Sequence, residues 1–285
     1  MTKARLLIVG AGKIGTRAAE QLRGSFNVTL LSRHPSARLS PDKQEGIGLI
    51  SADLCAASNE LEASISNGYE FVLFCVSAKE RNAESYQALY VDAWDRILRA
   101  LNPRETKRVF FVSSSSVYAQ DDGVWVDEQS ICEPESFSGR CMLAAEAVPG
   151  HLGFAHTNIR FTGIYGGMRS RLIDQVKSGA VGLSSETRLT NRIHEDDCVG
   201  FICHLLRAAE RGSVLESLYL ATDDCPVDLN EVYQFIAEQQ GVALGDMSGV
   251  VQARRRAGSK RCSNALMKQT GYRLVYPSYR EGYAN

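Results

Sequence analysis

Short apolar runs alternate with helix-spaced apolar positions through the first half of the chain. A strand buried on both faces shows an unbroken apolar stretch, so we interpret the runs as strands of one sheet. They are RLLIVG at 5–10, NVTLLSR at 27–33, GIGLISADL at 46–54, YEFVLFCVSA at 69–78, KRVFFVSSSS at 107–116 and HTNIRFTGIYG at 156–166. Helical spacing is found in KIGTRAAEQLRG at 13–24, SYQALYVDAWDRILRAL at 85–101 and GRCMLAAEAV at 139–148. This alternation predicts an α/β fold with a doubly wound parallel sheet.

The second half of the chain is less regular. Helical patterns at 196–211 and 229–240 flank a predicted strand, SLYLATDD, at 217–224. We therefore predict a larger sheet domain built from residues 1–165 and 196–211. Residues 166–195 and 212–285 are expected to form a smaller C-terminal part.

Composition and charge indicate which classes of binding partner to expect. Of the 285 residues 44% are hydrophobic and 23% charged, which is typical of a globular protein, and the net charge is −1. No global basic field points to nucleic acid or anionic lipid, and we interpret the arginine cluster at 254–256 as a solvated loop. No apolar run approaches the ~20 residues of a membrane span. We expect neither a nucleic-acid nor a membrane partner.

Cysteine usage indicates the compartment. None of the eight cysteines forms a CxxC pair, and Cys75 and Cys203 lie within apolar runs. Buried thiols in a reducing cytosol explain this pattern, so we expect a cytoplasmic protein with no metal site.

The first strand and first helix are joined by a glycine loop, Gly10-x-Gly12-x-x-Gly15. In such a loop the first glycine permits a tight turn, the second admits a pyrophosphate, and the third lets the helix pack closely. The helix N-terminus, with Lys13 and Ile14 in its first turn, then offers amide groups to the phosphates. The loop predicts a Rossmann-like domain that binds a nicotinamide dinucleotide.

The end of the second strand distinguishes between the two nicotinamide dinucleotides. NAD is typically held there by a carboxylate that accepts hydrogen bonds from the ribose 2′-hydroxyl, but this chain has Ser32 and Arg33. A guanidinium can bind a 2′-phosphate, so we predict NADP(H) in preference to NAD(H). Asp53 and Leu54 follow the third strand and are expected near the adenine.

Val76 and Ser77 follow the fourth strand and are expected near the ribose.

With these elements placed, four motifs carry a resemblance to the extended branch of the short-chain dehydrogenase/reductase superfamily. They are GAGKIG at 10–15, VSSSSVYA at 112–119, IRFTGIYGG at 159–167 and NRIHEDD at 191–197. Within that branch the chain is most similar to atypical epimerase/dehydratase family proteins. The resemblance implies a small-molecule substrate bound by the C-terminal part, residues 166–195 and 212–285, and, by analogy, a possible homodimer.

The resemblance also exposes a substitution in the helix that carries the family's chemistry. Family members use a tyrosine as acid or base and a lysine four residues later, which binds the nicotinamide ribose. Here Ser138 and Met142 occupy those positions, between a retained Gly139 and Glu146. A one-residue shift of the alignment would use Phe137 and Cys141 and restores neither group.

Three interpretations remain open for this altered site. The first is an oxidoreductase or epimerase acting on a small carbonyl, imine or nucleotide sugar with another acid. The second is a non-catalytic NADP(H) sensor, and the third is a structural partner of another enzyme. Ser114 matches the family's catalytic serine, and the remaining candidate proton donors or substrate contacts are Tyr118, Ser138, Arg140, Tyr165, Arg192 and His194.

Overall fold

The computed structural model describes residues 2–56, 59–66, 68–167, 171–246 and 258–284. The arginine cluster at 254–256, predicted to be a solvated loop, lies outside the described residues. Within the described ranges no helix is long and apolar enough to cross a membrane.

The strands of the described chain range from two to seven residues. They are β1 Arg5–Val9, β2 Asn27–Ser32, β3 Ile47–Ser51, β4 Phe71–Phe74, β5 Arg108–Ser114, β6 Trp125–Val126, β7 His156–Phe161, β8 Gly163–Tyr165, β9 Gly182–Leu183, β10 Leu189–Thr190, β11 Arg192–His194, β12 Leu218–Ala221, β13 Val227–Asp228, β14 Gly245–Asp246 and β15 Arg261–Cys262.

The helices fall between these strands. They are α1 Lys13–Leu22, α2 Pro41–Gln44, α3 Asn59–Ile65, α4 Ala83–Tyr86, α5 Ala93–Arg99, α6 Phe137–His151, α7 Arg171–Lys177, α8 Glu195–Glu210, α9 Leu229–Gln240, α10 Ala265–Gln269 and α11 Tyr279–Tyr283. A π-helix, Gln87–Asp92, joins α4 to α5, and a 3₁₀ turn, Ser115–Val117, follows β5.

Seven strands form the central sheet, in the order β12-β7-β5-β4-β1-β2-β3. The pairs β1–β2, β2–β3, β1–β4 and β4–β5 are parallel. The chain runs outward from β1 to β3 and then returns to β4 beside β1, so the direction of winding reverses between β1 and β4. In doubly wound sheets the ligand binds at this switch point, outside the carboxyl ends of the strands. The predicted Rossmann-like α/β fold is confirmed.

The predicted elements correspond closely to the observed ones, with two differences of detail. The run at 156–166 forms two strands, because β7 belongs to the central sheet whereas β8, after Thr162, pairs with β11. The predicted helix at 85–101 contains the π-helix described above. Continuous apolar runs do lie in the sheet interior, since every residue of β4 is buried.

The described chain divides into two compact units. The first contains residues 1–117, 134–160 and 199–219, and the second contains 118–133, 161–198 and 220–285. The segment 118–133 belongs to the second unit, although the sequence division assigns it to the larger domain. The functions of the two units stay predictions.

Each unit has its own stabilising contacts. In the second unit α9 packs on α7 and α11 around a buried cluster that includes Val232 and Tyr279. The carboxylate of Asp197 accepts hydrogen bonds from the Tyr272 hydroxyl and from the backbone N–H groups of Val275 and Tyr276, at 2.8–3.0 Å. Asp197 therefore fastens the C-terminal segment to the start of α8.

Candidate functional site

The glycine loop lies at the switch point, and two of its glycines have reasons within the protein. Gly10 has a φ of 112°, and a Cβ there would lie 2.2 Å from the Cys75 carbonyl oxygen. A Cβ on Gly15 would lie 2.0 Å from the Gly10 carbonyl oxygen. Both distances are far below van der Waals contact, so close packing of β1, α1 and the end of β4 requires glycine at these positions.

Gly12 differs from Gly10 and Gly15 in its surroundings. It is exposed, its φ of −73° is ordinary, and a Cβ there would meet nothing within 4 Å. Gly12 is also the N-cap of α1, which has no side-chain cap. The first amides of α1, including those of Lys13 and Ile14, therefore face a surface without side-chain bulk. This cradle fits a dinucleotide pyrophosphate, for which helix N-terminal amides are suitable donors.

The residues predicted around the glycine loop lie at the same edge of the sheet. The Gly10 N–H donates to the Leu31 carbonyl at 2.8 Å, which ties the loop to the end of β2. Arg33 follows β2 and is exposed, and its carbonyl accepts a hydrogen bond from the Ser51 hydroxyl at 2.9 Å. Ser32 lies opposite Ser51 in the β2–β3 register.

The turns after β3 and β4 complete this edge. Asp53 is exposed and its carboxylate accepts the Cys55 N–H at 3.0 Å, while the Leu54 carbonyl accepts a hydrogen bond from the Arg96 guanidinium. Val76 Cγ1 lies 3.1 Å from the position a Cβ of Gly10 would take, and Ser77 is exposed beside it. Every predicted cofactor residue is thus found at the carboxyl ends of β1 to β4 or in the first turn of α1.

Ser114 is the last residue of β5. Its hydroxyl oxygen accepts the Ser116 N–H at 3.2 Å, which holds the 3₁₀ turn. The side chain is partly exposed at the same edge of the sheet. Ser114 can therefore still donate its own proton to a ligand oxygen.

Helix α6 begins beside this turn. Its N-cap, Ser136, accepts the Gly139 N–H at 3.1 Å and lies 3.2 Å from the Ser138 hydroxyl. A Cβ on Gly139 would lie 2.6 Å from the Ser116 carbonyl oxygen. Glycine at 139 is thus required for the helix to approach the end of β5, whatever chemistry the helix carries.

Ser138 and Met142 are both buried in the first unit, with 7% and 5% of their surfaces exposed. Neither restores the family's phenol and ammonium. Cys141 is partly buried and burial raises its pKa, so it is a poor source of thiolate. Arg140 is exposed and donates to the Glu135 carbonyl.

Glu146, retained from the family's pattern, is explained by a buried ion pair. Its two carboxylate oxygens accept hydrogen bonds from Arg160 at 2.9 and 2.6 Å, and Ser113 donates a third at 2.5 Å. Asn158 also donates to the Glu146 carbonyl. These contacts fix α6 to β5 and β7, so Glu146 is structural.

Two tyrosines of the second unit donate their hydroxyl protons to backbone carbonyls. Tyr118 donates to Asp127 at 2.7 Å and Tyr165 donates to Ser278 at 3.0 Å. Burial raises the pKa of Tyr165 further. These contacts favour a structural role for both phenols.

The Arg-Ile-His segment forms β11 in the second unit. Arg192 is buried and donates to the Thr190 hydroxyl at 2.6 Å. His194 Nδ1 accepts the Asp196 N–H at 3.2 Å, and its ring stacks on Tyr276 at 3.8 Å. His194 therefore caps the first turn of α8, where Asp196 also complements the helix dipole.

Sequence reasoning missed Asp223, which follows β12. Its Oδ1 accepts the Cys225 N–H at 3.1 Å, whereas Oδ2 is buried and has no partner within the described residues. Burial raises the pKa of Asp223 to about 8. The signal was present in the acidic pair that ends SLYLATDD, at a strand's carboxyl end. Among the described residues, no group of three or more His, Cys, Asp or Glu is arranged to hold a metal ion.

Comparisons with known proteins agree with this geometry. Residues 10–172 match the family model described as NAD(P)H-binding. The structure is similar to that of a proposed NAD-dependent epimerase/dehydratase from Methylobacillus flagellatus, at 32% identity over 99% of this chain and 97% of that chain, with a TM-score of 0.79. A search of curated proteins gave no significant match.

Two further structures hold ligands. MoeE5 in complex with UDP-glucuronic acid and NAD is 25% identical over 99% of this chain and 97% of its own, with a TM-score of 0.78. The UDP-glucuronic acid 4-epimerase of Bacillus cereus, in complex with NAD, has the same TM-score of 0.78 at 15% identity, over 98% of this chain and 96% of that chain. The second likeness is one of fold alone.

Proposed function

We propose that this chain, which belongs to the NAD(P)H-binding family and to the epimerase/dehydratase-like proteins of the short-chain dehydrogenase/reductase superfamily, is an NADP(H)-dependent oxidoreductase or epimerase-type enzyme. Its substrate is a small carbonyl, imine or nucleotide sugar. The observation that carries the proposal is Gly12, a glycine that the protein's own packing does not need, at the N-cap of α1.

The dinucleotide supplies or accepts hydride when bound, and the residues of this chain bind and orient it. The α1 amides receive the pyrophosphate, and Arg33 receives the 2′-phosphate through charge and paired N–H donors. Ser114, at the end of β5, hydrogen-bonds the substrate oxygen. An imine already carries a basic nitrogen, so its reduction would need less help from a protein acid than reduction of a carbonyl.

A nucleotide sugar is supported by MoeE5, whose complexes contain UDP-glucose or UDP-glucuronic acid with NAD. The preference for NADP(H) is carried by Arg33 and by the absence of a carboxylate in the sequence Ser32-Arg33-His34. Arg140, Arg192 and His194 as substrate contacts, the homodimer and the cytoplasmic location stay predictions.

The cofactor choice is tested by fluorescence titration with NADPH and NADH. We expect NADPH to bind more tightly, and Arg33→Ala to weaken NADPH binding by about 10–100-fold, the cost of losing charged hydrogen bonds. Arg33→Asp should reverse the preference, since the new carboxylate can accept from the 2′-hydroxyl of NADH. Arg99→Ala is the matched control, because it removes an exposed guanidinium that pairs with Asp95. Equal affinities for the two cofactors would contradict the assignment.

Gly12→Ala tests the cradle. We expect the melting temperature to stay near that of the wild type, because nothing in the protein meets the new methyl group. NADPH affinity should fall by about tenfold or more, since the methyl group would occupy the space of the pyrophosphate. Unchanged NADPH affinity would remove the observation on which the proposal rests.

A second candidate function is a non-catalytic NADP(H) sensor. It is favoured by the buried Ser138 and Met142, which supply neither a proton donor of suitable pKa nor an ammonium. NADPH oxidation with panels of carbonyls, imines and nucleotide sugars separates the candidates. Turnover in any panel supports the enzyme, whereas tight NADPH binding without turnover in all of them supports the sensor.

A further inference from the structure

The helical segment between β4 and β5 contains an unusual turn. Residues Gln87–Asp92 form a π-helix between α4 and α5. Such turns are rare and are frequently found at functional sites. This one packs against α6, the helix whose family chemistry is missing. At its start the Tyr86 ring lies 5.3 Å from Phe137 of α6 and 5.1 Å from Tyr90.

Tyr90 extends from the π-helix to the loop after β4. Its hydroxyl oxygen accepts the Ala78 N–H at 3.2 Å. Ala78 follows Val76 and Ser77, and the main chain of Cys75 in turn packs directly on Gly10. The phenol is therefore placed on the loop that follows the carboxyl end of β4, the same loop whose start packs on Gly10, within the first unit.

The hydrogen bonding of this phenol is incomplete. Its oxygen is used as an acceptor, and within the described residues no group accepts its proton. Only 7% of Tyr90 is exposed, and burial raises its pKa to about 12, so the hydroxyl keeps its proton at neutral pH. A shielded donor with an unused proton is costly unless an acceptor is supplied. Ribose hydroxyl and phosphate oxygens are acceptors of this kind.

We propose that the Tyr90 hydroxyl donates a hydrogen bond to an oxygen of the pyrophosphate or of the nicotinamide ribose of the bound dinucleotide. In the same arrangement its oxygen holds the Val76–Ala78 loop through the Ala78 amide. The inference rests on the proposed function, because it takes the glycine loop to be the dinucleotide site. It assigns Tyr90 to the cofactor and adds a contact that a sequence pattern cannot reveal, since Tyr90 lies among the apolar positions of a helix.

The experiment compares Tyr90→Phe with the wild type by NADPH fluorescence titration and thermal melting. We expect NADPH to bind about tenfold more weakly, the effect of one lost hydrogen bond to the cofactor. The melting temperature without ligand should change little, while the rise produced by saturating NADPH should shrink. Binding of 2′-AMP, which lacks the pyrophosphate, should be unchanged. Tyr86→Phe is the matched control, since it removes a phenol hydroxyl from the same helical segment and leaves the Ala78 contact intact.

A second variant keeps both hydrogen bonds and so does not depend on how well Tyr90→Phe folds. With 3-fluorotyrosine placed at position 90, the ¹⁹F resonance should shift on saturation with NADPH and stay in place with 2′-AMP. The same label at position 86 is the control.

Four outcomes would overturn the inference. Equal NADPH affinity in Tyr90→Phe and wild type, or a ¹⁹F resonance that NADPH does not move, would remove Tyr90 from the cofactor site while leaving the proposed function standing. Equal weakening of NADPH and 2′-AMP, with a lowered ligand-free melting temperature, would reduce Tyr90 to a structural role. Failure of the wild type to bind NADPH or NADH would overturn the proposed function along with the inference.

Discussion

The glycine loop and helix α6 belong to the same unit and match the same family, yet they differ in what they retain. In the loop all three glycines are present, and each has the geometry that a dinucleotide site needs. In α6 the residues that pack the helix are Gly139 and Glu146, while Ser138 and Met142 lie at the positions that the sequence predicts for the family's tyrosine and lysine. The packing residues of α6 therefore follow the family's pattern, whereas the two positions predicted for its chemistry do not.

This difference has a physical origin. A phosphate loop works through backbone amides and space, so one residue type, glycine, meets the requirement of packing at Gly10 and Gly15 and leaves the space for binding at Gly12. In α6 the requirements of packing and of chemistry fall on different residues. Gly139 packs against the Ser116 carbonyl and Glu146 forms an ion pair with Arg160, whereas the positions predicted for the family's catalytic groups are 138 and 142. Resemblance in α6 therefore predicts fold more securely than reaction.

The largest expected effect tests the frame of α6. Glu146→Ala leaves the buried Arg160 guanidinium without its partner, and we expect the free energy of unfolding to fall by about 3–5 kcal/mol. Chemical denaturation of the intact chain measures this loss. Glu146→Gln is the control, because it keeps the side-chain volume and one acceptor oxygen and should cost less. A loss below about 1 kcal/mol for Glu146→Ala would mean that the ion pair does not fix the helix.

The next effect tests the packing of the glycine loop. Gly15→Ala places a methyl group 2.0 Å from the Gly10 carbonyl oxygen, and only backbone movement can relieve the overlap. We expect a loss of about 3 kcal/mol, at the upper end for overpacking. Thermal melting should show it clearly beside Gly24→Ala, whose new Cβ would meet nothing within 4 Å. Equal melting temperatures for the two variants would refute the view that Gly15 is fixed by packing.

Much of the fold could be predicted because its signals are local. The unbroken apolar run of β4 indicates a buried strand, and the Gly10–Gly15 spacing indicates a tight turn before a helix. Each can be recognised from neighbouring residues alone. The location of the candidate cofactor residues could also be predicted, since parallel strands bring their carboxyl ends to one edge, while their role stays a prediction. The break between β7 and β8 was not predicted, because Thr162 is compatible with a strand.

The features that escaped prediction depend on contacts distant in sequence. The acceptor role of Tyr90 depends on Ala78, and the isolation of Asp223 Oδ2 depends on what packs around it. Tyr118 and Tyr165 were candidate proton donors in the sequence, but their hydroxyls donate to the carbonyls of Asp127 and Ser278. The sequence identifies such side chains but does not show which of their hydroxyl protons already form hydrogen bonds within the protein.

The smallest of the three effects tests whether position 142 has become part of the core. Met142 is 5% exposed, so Met142→Ala should cost about 2 kcal/mol by opening a cavity. Met142→Leu keeps most of the volume and should cost less than about 1.5 kcal/mol. Melting measures both losses, and NADPH titration of the same variants should show little change, because a thioether offers the ribose no strong donor. A marked loss of NADPH affinity in Met142→Leu, with stability intact, would mean that this position still serves the cofactor and would narrow the contrast between the two regions.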